Sequence, residues 1–155
     1  MAESEKDRTD RQLIELLNEL RVVLPGAQIL LAFLLTVPFA TRFGRVSRGD
    51  RIALFVGLMA TVGGTVLLLA PSVYHRLRWG RGGKSDVVRM GNRFFLAGTA
   101  FLAIGIVAVL YLVSDVLFGT VAAIVAVVAV GTLVASTWYL LPLQRGRRPE
   151  IEQEE

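Results

Sequence analysis

The chain has 155 residues, 54% of them apolar, with 17 basic against 13 acidic side chains, a formal net charge of +4 and no cysteine. Its mean hydropathy is +0.57, which excludes an ordinary soluble domain, where roughly 45–50% of residues are apolar even with glycine counted. Without cysteine there is no disulfide, no thiolate nucleophile and no Cys-based zinc site.

Residues 1–21 are charged throughout and lack the short apolar core and small-residue cleavage site of a signal peptide, so the chain is expected to keep its start near Met1. Residues 1–8 read as disordered. Over 9–24, Leu13, Leu16, Leu17, Leu20 and Leu24 recur at three- and four-residue spacing, with Arg11, Gln12, Glu15, Asn18, Glu19 and Arg21 on the other face. This pattern predicts an amphipathic helix lying in the membrane interface, its leucines in the acyl boundary. Thr9 with Gln12 three residues on has capping-box form, and Pro25-Gly26 offers a bend before the next element.

Four uncharged stretches follow, each near the roughly 20 helical residues needed to cross a bilayer core of about 30 Å: residues 22–41, 52–73, 94–114 and 116–144. Together they make 25–143 a four-span transmembrane domain. The last two are separated by Asp115 alone, and a tight hairpin is expected there with Ser114, Asp115 and Gly119 as its turn. Pro25, Gly26 and Pro38 also permit a re-entrant first element. After 144 the tail, 145–155, turns from basic to acidic and reads as disordered.

Basic residues set the expected orientation. The N-terminal segment carries Lys6, Arg8, Arg11 and Arg21; the first loop Arg42, Arg45, Arg48 and Arg51; the second Arg76, Arg78, Arg81, Lys84, Arg89 and Arg93; the third none; the tail Arg145, Arg147 and Arg148. With both termini cytoplasmic, thirteen lie inside against four outside. The expected fold is therefore all-α, a four-helix transmembrane bundle with an N-terminal amphipathic interfacial helix, N-in/C-in, in the plasma (inner) membrane. Aromatic residues such as Phe39, Tyr74, Trp79, Phe94, Phe118 and Trp138 cluster near span ends, as a membrane aromatic belt does.

Chemistry is sparse. No uncharged stretch holds an Asp, Glu, Lys, Arg or His, the groups that ion-coupled transport normally needs inside hydrocarbon. Gln28 is the candidate intramembrane polar contact, expected to bond between helices, while Thr36, Thr61, Thr65, Thr99, Thr132, Ser136 and Thr137 are expected to satisfy their own helices. Small residues four apart, Ala60 with Gly64, Ala122 with Ala126 and Gly131 with Ala135, allow close helix approach. Ser85-Asp86 reads as the cap of a helix running into the third span, with Arg89 and Arg93 on one face snorkelling to headgroups. Arg76, Arg78, Arg81 and Lys84 are candidate contacts for anionic lipid. No Ser/His/Asp constellation, metal-ligand spacing or phosphate loop is present, so no enzymatic activity, cofactor or metal is expected. The expected partners are the lipid bilayer with its anionic headgroups, and a second copy or another membrane protein. Nucleic acid is not among them.

Residues 11–22 (RQLIELLNELRV), 28–39 (QILLAFLLTVPF), 70–76 (APSVYHR) and 88–93 (VRMGNR) resemble a family of small actinobacterial membrane proteins catalogued as domain of unknown function 6328. The resemblance covers most of the chain, and members of that family are sometimes labelled sodium:proton antiporters. It implies a small cation transporter or channel as the alternative to a non-enzymatic protein acting through homo-oligomerisation or as an accessory subunit. The matching positions are Glu15, Glu19, Arg21, Gln28, Tyr74, His75, Arg76, Asn92 and Arg93. Apart from Gln28, they are expected to form a cytoplasmic polar cluster in which Glu15 or Glu19 pairs with Arg76 or Arg93. His75, the one side chain that ordinarily titrates near neutral pH, would sit at its edge.

Overall fold

The computed structural model describes residues 5–40, 44, 46–77 and 84–140, and among them it holds four long helices and no strand. They are α1 (Glu5–Thr36), α2 (Arg48–Leu77), α3 (Lys84–Phe118) and α4 (Thr120–Ala135); a short 3₁₀ turn, Val37–Phe39, ends α1, and a π-helical turn, Ser136–Leu140, extends α4. Each contains a segment long and apolar enough to cross a membrane: Ile14–Phe39, Arg48–Tyr74, Arg89–Phe118 and Thr120–Trp138. The chain is thus a multi-pass membrane protein. At 35 residues α3 is about 52 Å long, well beyond a hydrocarbon core of about 30 Å, so its polar first turns stand outside the apolar layer.

Three boundaries differ from the sequence expectation. The amphipathic stretch and the first span are one helix, with Pro25 inside it. Proline removes only its own N–H, and the carbonyl that loses a partner belongs to Arg21, an exposed residue. Helix α1 also includes Glu5–Thr9, which puts Thr9 inside it and not at its cap. At the other end of the molecule Ser114 and Asp115 belong to α3, and the reversal into α4 is made at Gly119 alone, φ 86° and ψ 168°. The Gly119 N–H donates to the Asp115 carbonyl at 2.9 Å and its own carbonyl accepts from Ala123 at 3.1 Å, so the break costs the helices few bonds. The expected disordered termini fall, except for residues 5–8 in α1, outside the described residues.

The packing centres on the antiparallel pair α2 and α3, with α1 against both and α4 against α3 only. Glycines on the two central helices face each other at seven-residue intervals. A Cβ added to Gly64 would lie 2.9 Å from the Gly98 carbonyl oxygen, and one added to Gly105 would lie 2.5 Å from Thr61 Oγ1. One heptad along, Gly91 leaves room for Pro71 of α2 and Leu16 of α1, so three helices meet where that side chain is missing. Close approach of this kind supplies the dispersion contact that holds helices together in lipid, where water drives nothing. Leu20 and Ala27 of α1 close one core cluster with Leu68 and Leu102; Leu34, Leu54 and Leu112 form a second. The leucine face of α1 therefore packs on the protein at Leu16 and Leu20, with Ile14 and Leu17 left exposed.

Candidate functional site

Helix α2 opens with a reciprocal cap. The Ser47 N–H and hydroxyl each donate to Asp50 Oδ2 at 2.9 Å, and the Asp50 N–H donates back to Ser47 Oγ at 3.1 Å. The Ser-x-x-Asp spacing just before an apolar run is the signal that predicts this, and the charge pattern had hidden it among the arginines of the first loop. Asp50 is only 2% exposed, and its Oδ1 is buried with no hydrogen-bond partner. Asp115 of α3 is in the same condition at Oδ1, next to the buried Ser114.

Both carboxylates lie at the same end of the α2–α3 pair, near the α2 start and the α3 end. Gly57 of α2 faces Ala108 of α3, a Cβ on the glycine lying 3.2 Å from the alanine methyl carbon. One heptad further along this antiparallel seam, toward the α2 start, stand Asp50 and Asp115. Tyr111 belongs to the same end, its hydroxyl 3.4 Å from where a Gly49 Cβ would lie. Carboxylate and hydroxyl oxygens in such a setting are hard donors, suited to a proton or a small cation. No group of three or more His, Cys, Asp or Glu gathers among the described residues.

The opposite end holds the residues singled out from sequence. Glu15, Glu19, Arg21, Arg76, Asn92 and Arg93 are exposed and Tyr74 is half-buried. Glu15 approaches Arg11 at 3.9 Å on its own helix, both side chains more than half exposed, and no ion pair joins Glu15 or Glu19 to Arg76 or Arg93 among the described residues. His75 lies in α2 and Lys84 begins α3, but their side chains, like all of Arg78 and Arg81, are outside the described residues. Helix α3 already runs from Lys84, so Ser85-Asp86 stands in its first turn.

Within the spans six of the seven hydroxyls expected to bond to their own helices do so. Thr36 donates to the Phe33 carbonyl, Thr61 to Gly57, Thr65 to Thr61, Thr99 to Leu96, and both Ser136 and Thr137 to Leu133. Gln28 does not meet its expectation: it is exposed on the outer face of α1, turned from α2 and α3 by the helical phase that buries Ala27.

Among the described residues α4 packs on α3 and on no other of the long helices, and open grooves run over the bundle. One, of about 600 Å³, lies between α2 and α4 over α3 and is lined by small residues, Ala53, Ala100, Ala103, Gly131 and Ala135 among them. The other, of about 620 Å³, lies between α1 and α3, from Gly26 and Ile29 to Ile106 and Val109, with Trp138 of the π-helical turn also lining it. A third, of about 650 Å³, is formed by α2 and α3 near the α3 start and carries Tyr74, Arg89 and Arg93 over Leu67, Phe94 and Ala97.

Residues 2–142 match the model of a family described as Family of unknown function (DUF6328). No curated protein and no solved structure matches the chain.

Proposed function

The chain belongs to this family of unknown function (DUF6328), and we propose that it is a non-enzymatic integral protein of the plasma membrane, both termini cytoplasmic, acting by lateral association as a homo-oligomer or an accessory subunit. The observation that carries this reading is the incomplete packing of α4. A helix apolar on every side, with residues such as Val121, Val125 and Val128 more than 60% exposed, flanks a groove floored by alanine and glycine. Small residues at such a surface let a further helix approach closely, and dispersion then favours association.

The test is subunit counting by photobleaching of the full chain in nanodiscs, with co-purification from native membranes. More than one bleaching step, or a stoichiometric membrane-protein partner, is expected, and Gly131→Trp is expected to reduce it. Gly131 lines the groove and nothing lies within 4 Å of a Cβ there, so the substitution enters open space, and an unchanged thermal midpoint of the variant is the accompanying control. A single bleaching step with no partner would overturn the reading.

A second reading, cation transport, is favoured by Asp50 and Asp115, each of which has one buried carboxylate oxygen without a hydrogen-bond partner. Proteoliposomes with an imposed pH gradient and added sodium or potassium test it: protein-dependent exchange lost in Asp50→Asn and Asp115→Asn supports transport. No flux in folded protein removes it.

A further inference from the structure

We propose that the groove between α2 and α3 at Tyr74, Arg89 and Arg93 is a binding site for an anionic phospholipid, its phosphate on the two arginines and an acyl chain along Leu67, Phe94 and Ala97. The inference depends on the chain spanning a bilayer and not on association, so each can fail without the other.

Three observations carry it. Arg89 and Arg93 are four residues apart on α3 and therefore on one helical face, both exposed and both at the mouth of the same groove of about 650 Å³. The candidate span in α3 begins at Arg89, which sets these guanidinium groups at headgroup depth, where long basic side chains reach the interface. The remaining lining divides by polarity, with the Tyr74 ring half-buried beside the arginines and the apolar Leu67, Met90, Phe94 and Ala97 lining the rest. The other two grooves are almost wholly apolar and no cationic side chain lines them, so they offer an acyl chain a surface and a phosphate nothing. Guanidinium groups meet phosphate oxygens through paired N–H donors, and a basic pocket between transmembrane helices is the form in which membrane proteins hold anionic headgroups. Among the described residues that line the groove there is no Asp or Glu.

The experiment is native mass spectrometry of the full chain, released from detergent with palmitoyl-oleoyl phosphatidylglycerol or the zwitterionic phosphatidylcholine of the same chains. Wild type should retain phosphatidylglycerol preferentially, and Arg89→Gln with Arg93→Gln should weaken that binding about thirtyfold, the effect of removing two near-surface cations. Arg89→Lys with Arg93→Lys, which keeps both charges, should restore most of it. Ala97→Trp, which fills the apolar part, should weaken lipid binding and leave inorganic phosphate competition unchanged. Equal retention of both lipids would overturn the proposal, as would unchanged binding in the glutamine variant with its melting midpoint preserved. Inorganic phosphate binding as tightly as the lipid, with Ala97→Trp silent, would reassign the site to free phosphate and overturn it as well. If the glutamine variant fails to fold, the lysine and tryptophan variants decide alone.

Discussion

A methyl group on Gly64 would sit 2.9 Å from the carbonyl oxygen of Gly98, across a backbone-to-backbone approach of α2 and α3. The obstruction is mutual, since a Cβ on Gly98 would lie 3.1 Å from the Gly64 carbonyl oxygen and 2.7 Å from Leu68 Cγ. Backbone atoms cannot swing aside as a side-chain tip can, so Gly64→Ala and Gly98→Ala should each destabilise by about 1–3 kcal/mol. Gly91→Ala meets the end of the Leu16 side chain, which can move, and Gly131→Ala meets nothing. Thermal midpoints in one detergent should fall in the order Gly98→Ala, then Gly91→Ala, then Gly131→Ala at the wild-type value. Equal midpoints for all three would contradict the glycine seam.

Gly119 makes a different demand. Nothing lies within 4 Å of a Cβ there, yet φ 86° with ψ 168° is a region that only glycine occupies freely. Gly119→Ala should therefore cost about 1–3 kcal/mol by backbone strain alone. Gly119→Asn should cost as much, because asparagine eases the left-handed helical region near ψ 47° and not this one. A rescue by asparagine, read from denaturant unfolding, would show that the turn adopts another conformation.

The Ser47–Asp50 cap predicts a local effect. Ser47→Ala removes two of the three bonds of the reciprocal cap and should cost about 1 kcal/mol. Hydrogen exchange should speed up at the first-turn amides, Arg48 to Arg51, while amides in the middle of α2 keep their protection. Uniform acceleration along α2 would mean that the cap supports the whole fold.

Gln28→Leu should leave the thermal midpoint of the isolated chain unchanged, because the side chain faces outward and bonds to no other helix of the described structure. A drop of several degrees would restore the interhelical hydrogen bond expected from sequence.

What the sequence determined by itself is the membrane character, the number of spans and the self-satisfied hydroxyls. The reason is that hydrocarbon accepts only long uncharged helices with every backbone group paired, a requirement visible in a count of apolar residues. Helix ends were less legible. Pro25 and Asp115 resemble punctuation in a one-dimensional reading, but a proline breaks one bond and an aspartate none, so both remain inside helices that packing sustains. Only the tertiary structure decided that α4 touches α3 alone, that Gly57, Gly64, Gly98 and Gly105 form the seam, and that Gln28 faces away. It also decided that, among the described residues, the acids with buried, unpartnered oxygens are Asp50 and Asp115, while Glu15 and Glu19 stay exposed. In lipid the apolar residues face bilayer and protein with nearly equal favour, so hydrophobic periodicity loses the inside-to-outside contrast that would orient a helix. Which faces meet is left to shape, and shape here is the alignment of missing side chains on two helices far apart in the chain.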